Sequence, residues 1–189
     1  MRKVLELNAD FTPIKMISWK QAMTQILTEE KTGAYVVEYY DDWEVLGGRN
    51  IKYKVPAIIA LKKYVDEVDN EAPYTKGNVY NRDGMTCQYC GVRFKYGNLT
   101  IDHVIPRSKW HIIGNGKRVS SFENTVAACN ECNRKKSNMT CTECNMFPIN
   151  KPVSITVRKN FYNRLSVMDG KIPAQWKPYL KGITSEQEK

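Results

Sequence analysis

The sequence lacks the features that mark membrane-embedded, exported or low-complexity chains. No apolar run approaches the ~20 residues that a membrane-spanning helix needs. The N-terminus, MRKVLELNADF, has neither the apolar stretch nor the small-residue cleavage site of a signal peptide. Internal repeats and low-complexity tracts are also missing. With 42% hydrophobic and 26% charged residues, the composition predicts a soluble, unexported globular protein with no membrane partner.

Acidic residues are scarce in the second part of the chain. Residues 1–70 contain 10 Lys and Arg against 11 Asp and Glu, whereas residues 71–189 contain 19 against 9. The net charge of +9 is therefore concentrated beyond residue 70. A surface that binds a polyanion gains affinity by releasing counterions, and this favours such a segregation of charge. A solvated basic face without a partner is the alternative.

The cysteines all belong to Cys-x-x-Cys pairs. The pairs are Cys87 with Cys90, Cys129 with Cys132, and Cys141 with Cys144. In an unexported protein this spacing favours thiolate–metal binding over disulfides. Because two such turns supply the four tetrahedral ligands of a structural zinc ion, we predict a zinc site formed by the first two pairs. A redox dithiol is one alternative to the zinc site. A second alternative is a zinc site in which Cys141 and Cys144 replace one of the first two pairs. If they bind no metal, Cys141 and Cys144 are reduced thiols in a turn.

The chain divides by composition into three segments. Residues 1–70 predict a small, nearly neutral α+β module. Residues 71–150 follow a polar, proline-bearing stretch and contain the thiol pairs. Residues 151–189 form a basic C-terminal extension. The predicted fold class is therefore α+β, with a zinc-stapled core after the N-terminal module.

The first segment carries several local signals of secondary structure. The alternating KVLELN predicts a strand at residues 3–8. Ser18 and Gln21 have the spacing of a capping box at the start of a helix. We expect a hairpin around the acidic pair Asp41-Asp42. Pro56 favours an edge position for the extended segment that contains it.

An Asp-His pair lies between the first two thiol pairs. TIDHV has strand character, and the two-residue period places Asp102 and His103 on opposite faces. A helix that starts near residues 129–132 would place Asn133 in its early turns. The zinc loops would then fold this helix back over the strand. A carboxylate, an imidazole and an amide oxygen would converge beside a cluster of cations.

Three stretches, TCQYCG, LTIDHVIPRS and FENTVAACNECNRKK, resemble the motif of the HNH endonuclease family. The resemblance is to the zinc-stapled form of the ββα-metal nuclease fold. It extends to VLELNADFTPIKMISWKQAM, VPAIIALKKYV and NVYNRDGMTCQYCG, which are similar to bacterial and phage HNH proteins with a small N-terminal module. It covers most of the chain to about residue 165.

The resemblance implies a metal-dependent DNA endonuclease that hydrolyses phosphodiester bonds. It makes His103 the general base, and Asp102 and Asn133 the ligands of a catalytic Mg²⁺ or Mn²⁺. Asn124 would brace the loop and orient His103. Family members often have histidine at the last motif position, where this chain has Asn133, and an amide oxygen suits such a hard cation. The implied products carry 5′-phosphate and 3′-hydroxyl ends.

The expected partner is double-stranded DNA, in the cytoplasm of a bacterial cell or phage-infected host. Phosphate contacts are predicted for six cations. They are Arg107, Lys117, Arg118, Arg134, Lys135 and Lys136. His111 matches no motif position. A zinc-stabilised DNA-binding module without nuclease activity is the main rival interpretation, although it has no need of Asp102, His103 and Asn133 together. A redox or zinc-storage protein is a third.

Overall fold

The computed structural model divides the chain into two compact units. It describes residues 2–28, 33–66, 70–114, 116, 118–168 and 171–180. Unit 1 contains Met1–Asp69 and Met168–Lys189, and unit 2 is Asn70–Val167. The predicted C-terminal extension, 151–189, is therefore divided between the two units rather than forming a segment of its own.

In its described residues, unit 1 has a four-stranded sheet and one α-helix. The strands have the order β2-β1-β4-β3, in which β1 runs parallel to β4 and the other neighbours are antiparallel. The elements are β1 (Lys3–Leu7), β2 (Pro13–Ser18), α1 (Trp19–Leu27), β3 (Ala34–Leu46) and β4 (Lys52–Leu61). Ser18 caps α1 and forms the predicted capping box with Gln21.

Both faces of the central strands are covered, which explains why they are more apolar than an alternating strand. Val4 of β1 and Ile59 of β4 share a buried cluster with Ala22 of α1. A 3₁₀ helix, Ala174–Leu180, contributes Trp176, whose indole Nε1 donates to the carbonyl of Ala57 at 2.9 Å. Trp176 is fully buried, so this late part of the chain completes the core of unit 1.

Two expectations for unit 1 are wrong. The acidic pair Asp41-Asp42 lies inside the continuous strand β3, and the chain reverses only after Leu46. Pro56 is in β4, which lies between β1 and β3 rather than at an edge. Pro56 pairs with Tyr39, whereas β1 pairs with β4 only from Ile58 onward. Proline is tolerated there because the pairing between β1 and β4 begins only at Ile58, so β1 needs no backbone donor at position 56.

Unit 2 contains a two-stranded antiparallel sheet and five helices in its described residues. The sheet pairs β5 (Leu99–His103) with β6 (Thr125–Cys129). The helices are α2 (Lys76–Arg82), α3 (Trp110–Ile113), α4 (Asn130–Lys136), α5 (Cys141–Cys144) and α6 (Val157–Ser166). The α+β class is thereby confirmed. None of the helices in the described ranges is long and apolar enough to cross a membrane.

A buried ion pair joins α2 to the sheet of unit 2. Nε of Arg82 lies 2.7 Å from Oδ1 of Asp83, and both side chains are almost completely buried. Arg82 also donates to the carbonyl of Thr125, and Asp83 accepts from the backbone N–H of Ala127, both at 2.7 Å. Both charges are thus satisfied by β6, as buried charges require. Gly84 ends this helix segment in a left-handed conformation, with φ of 62°.

We expect Trp176→Ala to lower the free energy of unfolding by about 3–5 kcal/mol, because it removes a fully buried aromatic side chain. Urea denaturation followed by far-UV circular dichroism measures the change. Lys177→Ala, at the exposed neighbouring position, is the matched control. Equal stability of the two variants would contradict the role of Trp176 in the core.

Candidate functional site

The Asp-His pair lies at the end of β5, opposite the start of β6. Asp102 pairs with Val126 and His103 with Thr125 in the antiparallel register. The chain then passes from β6 directly into α4, with Cys129 as the N-cap residue. The helix therefore begins where the sequence analysis expected it, and β5, β6 and α4 form one continuous ββα arrangement.

Lys136, the last residue of α4, connects the helix to β5. Its side chain is fully buried, and Nζ lies 3.0 Å from Oδ2 of Asp102. The same ammonium group donates to the carbonyl oxygen of His103 at 2.7 Å. The prediction that Lys136 contacts DNA phosphate is therefore wrong, because its ammonium group is buried and forms an ion pair with the carboxylate of Asp102.

Tyr89 donates a hydrogen bond to the same carboxylate. Its hydroxyl donates to Oδ2 of Asp102 at 2.5 Å. Burial, this hydrogen bond and the negative charge of Asp102 raise the pKa of Tyr89 far above its usual value, so the phenol keeps its proton and donates. Sequence reasoning missed Tyr89, which stands between two cysteines and has no motif spacing of its own.

His103 is half-buried and its ring faces the loop that follows β5. Nε2 lies 3.0 Å from Oγ of Ser120 and 3.4 Å from Nε of Arg107. Burial and the positive charge of Arg107 lower the pKa of His103, and Lys136 adds to this, whereas Asp102 opposes it. These effects together favour the neutral imidazole. Ser120 is a further contact that the sequence did not indicate.

Asn124 holds the two ends of the loop between β5 and β6. Its Oδ1 accepts from the backbone N–H of Ile105 at 2.9 Å. Its Nδ2 donates to the carbonyls of Ile105 at 3.1 Å and Val119 at 2.9 Å. Asn124 is buried, so these bonds hold the backbone next to His103. This geometry is the bracing expected of Asn124, and its effect on the orientation of His103 stays a prediction.

Asn133 lies in α4, one turn before Lys136. Residues three apart share one face of a helix, and Lys136 contacts Asp102. Asn133 is therefore on the face directed towards the end of β5. It is partly exposed, and within the described parts of the chain its side chain makes no hydrogen bond. Its amide oxygen is thus available to a ligand.

Four cysteines form a cluster able to hold a metal ion. The sulfur atoms of Cys87, Cys90, Cys129 and Cys132 all lie within 4.8 Å of one another. A zinc–sulfur distance of ~2.3 Å implies sulfur–sulfur separations of about 3.8 Å in a tetrahedron. Burial of Cys87 disfavours its thiolate, but backbone N–H groups around it outweigh this and lower its pKa. The donor set fits zinc.

Cys141 and Cys144 are not members of this cluster. They lie in α5, which begins with a second capping box, formed by Thr140 and Glu143. Cys144 Sγ lies 3.1 Å from the carbonyl of Thr140, and Cys141 Sγ lies 4.0 Å from that of Val104. The geometry thus favours the first two pairs as the metal ligands over the alternative that uses α5.

Comparison with known proteins assigns both parts of the chain. The family model described as HNH endonuclease matches residues 87–139. A second model, described as HNH endonuclease-associated, N-terminal domain, matches residues 4–67. The chain therefore contains an HNH endonuclease domain and an HNH-associated N-terminal domain. The match to residues 87–139 includes the cysteine cluster, the end of β5 and α4.

Two curated relatives are similar to segments of this HNH protein, and both are named CRISPR-associated endonuclease Cas9. The protein from Actinomyces naeslundii is 32% identical over 84 residues, which are 42% of this chain and 7% of the relative. The protein from Corynebacterium diphtheriae is 37% identical over 57 residues, or 30% and 5%. The chain thus spans less than a tenth of these relatives. No solved structure matches it.

Four of the six predicted phosphate contacts of the HNH domain are exposed. They are Arg107, Arg118, Arg134 and Lys135. Arg134 and Lys135 lie in the last turn of α4, where cations also interact favourably with the helix dipole. Lys117 lies outside the described residues, and Lys136 is buried. His111, in α3, is exposed.

We expect Lys136→Ala to lower the free energy of unfolding by about 3–5 kcal/mol, because it leaves the buried carboxylate of Asp102 without its cation. Lys135→Ala removes the same kind of side chain from the exposed neighbouring position and should change stability by no more than about 0.5 kcal/mol. Thermal and urea unfolding compare the variants. A Lys136→Ala protein as stable as Lys135→Ala would refute the buried ion pair.

Proposed function

We propose that this protein is a metal-dependent endonuclease that hydrolyses phosphodiester bonds of double-stranded DNA. One observation carries the proposal: Asp102 and His103 lie together at the end of β5, packed against α4, inside the segment that matches HNH endonucleases. A DNA-binding module without nuclease activity would keep the cations and the thiols but would not need this pair.

The catalytic cation would be held by Asp102 and Asn133. Tyr89 donates its hydrogen bond to Oδ2 of Asp102, and Lys136 forms its ion pair there; no described residue donates a hydrogen bond to Oδ1. A free carboxylate oxygen and an amide oxygen are suitable ligands for Mg²⁺ or Mn²⁺. A divalent cation bound there would neutralise negative charge that develops on the phosphate during hydrolysis.

His103 acts as the general base. Ser120 Oγ accepts a hydrogen bond from Nε2–H of the neutral ring in the tautomer that leaves Nδ1 unprotonated. Nδ1 then takes the proton from the attacking water. The contact from Arg107 is long for a hydrogen bond, so Arg107 acts on His103 mainly through its charge, which keeps the imidazole neutral. Asn124 holds the backbone beside the histidine throughout.

Exposed cations around the site position the duplex. Arg107 lies four residues beyond His103, and Arg134 and Lys135 project from the same helix that carries Asn133. Contacts of this kind bind phosphates without reading base sequence. The products carry 5′-phosphate and 3′-hydroxyl ends, because water attacks the phosphorus atom and the 3′-oxygen leaves.

We expect His103→Ala to reduce nicking of supercoiled plasmid by about 10²–10⁴-fold, the usual contribution of a general base. The assay uses wild type and variant with Mg²⁺, with Mn²⁺, and after brief exposure to EDTA that leaves the structural metal in place. His111→Ala, at the other histidine of the chain, is the matched control and should retain full activity.

Two results would reject the nuclease. Cleavage by His103→Ala at the wild-type rate would remove the general base. A wild-type protein that shifts DNA in a gel but cuts it in neither metal would support the DNA-binding module instead. Both conclusions require that the proteins are folded and retain their structural metal, which circular dichroism and metal analysis establish.

The structural metal is zinc, bound by the four clustered cysteines. Such a site supplies about 10–16 kcal/mol of apparent binding free energy at pH 7. Among the described residues, the sheet of unit 2 has two strands, and a two-stranded sheet alone is marginally stable. Zinc binding therefore contributes directly to the folding of unit 2.

We expect one zinc ion per chain in the wild type, and loss of zinc together with unfolding of unit 2 in Cys132→Ser. The measurements are inductively coupled plasma mass spectrometry and limited proteolysis. Cys141→Ser is the matched control and should keep both the zinc and the fold. A well-folded, zinc-replete Cys132→Ser protein would refute the four-cysteine site.

A further inference from the structure

Tyr89 belongs to the cysteine cluster by sequence and to the Asp102 site by its side chain. It stands in the turn between Cys87 and Cys90, and its ring packs against the buried cluster of Cys87, Ala128 and Cys129. From there its hydroxyl reaches Oδ2 of Asp102 at 2.5 Å. The turn that binds the structural metal therefore also determines where this hydroxyl lies.

One oxygen of the Asp102 carboxylate makes two contacts. Tyr89 Oη donates a hydrogen bond to Oδ2, and Lys136 Nζ forms an ion pair with the same oxygen at 3.0 Å. In the described part of the chain, the fully buried side-chain oxygen and nitrogen atoms without a partner are Gln25 Oε1 and Asn160 Oδ1. Oδ1 of Asp102 accepts no hydrogen bond from a described residue and is not one of them, so it is not completely buried. The hydrogen bond from Tyr89 thus distinguishes one carboxylate oxygen from the other.

We infer that Tyr89 is a positioning residue for the catalytic cation: by holding Oδ2, its hydroxyl keeps Oδ1 of Asp102 directed outward as a metal ligand. This inference rests on the proposed function. A carboxylate held by a single donor rotates more freely about its Cβ–Cγ bond and exchanges its two oxygens. With a hydrogen bond from the turn 87–90 and an ion pair from α4, the carboxylate is held before the cation arrives.

The loss of this hydroxyl should act on metal binding rather than on the chemical step. Residues that orient metal ligands typically change metal affinity by about 10–100-fold when they are removed. Tyr89→Phe keeps the ring in its buried position and leaves Lys136 to neutralise Asp102. His103 and its contact with Ser120 are untouched. Saturating metal should therefore restore most of the cleavage rate.

The test compares Tyr89→Phe with the wild type as zinc-loaded full-length chains. Titration with Mn²⁺, with free Mn²⁺ read by electron paramagnetic resonance, measures affinity without catalysis. The Mn²⁺ concentration for half-maximal plasmid nicking is measured in parallel. Tyr80→Phe is the matched control, because its hydroxyl also donates to β5 at 2.5 Å, but to the backbone carbonyl of Leu99. It removes the same kind of hydrogen bond from the same strand.

We expect Tyr89→Phe to weaken Mn²⁺ binding by about 10–100-fold and to raise the half-maximal concentration equally, with the rate at saturating Mn²⁺ close to that of the wild type. Tyr80→Phe should change neither metal parameter. An unchanged Mn²⁺ affinity in Tyr89→Phe would overturn the inference, as would a loss of rate that excess Mn²⁺ does not restore.

Two further outcomes separate this inference from the proposals on which it depends. Loss of zinc by Tyr89→Phe would overturn the inference by assigning the residue to the stability of the cysteine turn. A wild-type protein that neither binds Mn²⁺ nor nicks DNA would overturn the proposed function and this inference with it. Wild-type binding and nicking with an unchanged Tyr89→Phe would overturn the inference alone.

Discussion

The candidate site depends on the contacts that the buried ammonium group of Lys136 makes. This group is fully excluded from solvent, yet it lies 3.0 Å from a carboxylate oxygen of Asp102 and donates to the carbonyl of His103. Removing a charge from water costs several kcal/mol unless partners satisfy it. Here the partners come from the strand end that carries the Asp-His pair. The packing of α4 against β5 therefore also assembles the site.

The cysteine cluster gives this small unit the rigidity that its core cannot. Two strands bury little area, and the cluster joins the turn at Cys87 to the junction between β6 and α4 at Cys129. Tyr89 extends the effect to the carboxylate. A metal in the cluster would thus stabilise the fold and, through one side chain, the geometry of a second site. Through this linkage, a small two-stranded hairpin can hold metal ligands in the fixed geometry that metal binding requires.

Local signals predicted the elements whose determinants lie close together in sequence. The capping box of Ser18 and Gln21 and the start of α4 near Cys129 are examples. The hairpin at Asp41-Asp42 was wrong because acidic residues indicate exposure, and an exposed strand accommodates them as readily as a turn does. The edge position expected from Pro56 was wrong for a related reason. Proline requires only that one hydrogen bond of the ladder be missing, and β1 leaves β4 unpaired at this position although β4 is a central strand.

By itself the sequence determined the chemistry of the protein: the thiol pairs, the Asp-His pair and the asparagines have spacings that few folds other than the HNH nuclease would need. Only the tertiary structure decided the use of each charge and hydroxyl. Lys135 and Lys136 are identical neighbours in sequence, but one is exposed and the other buried against Asp102. Tyr89 has no motif of its own and contacts Asp102 across the fold. Spacing along the chain encodes local geometry, whereas such pairings depend on which surfaces the core brings together.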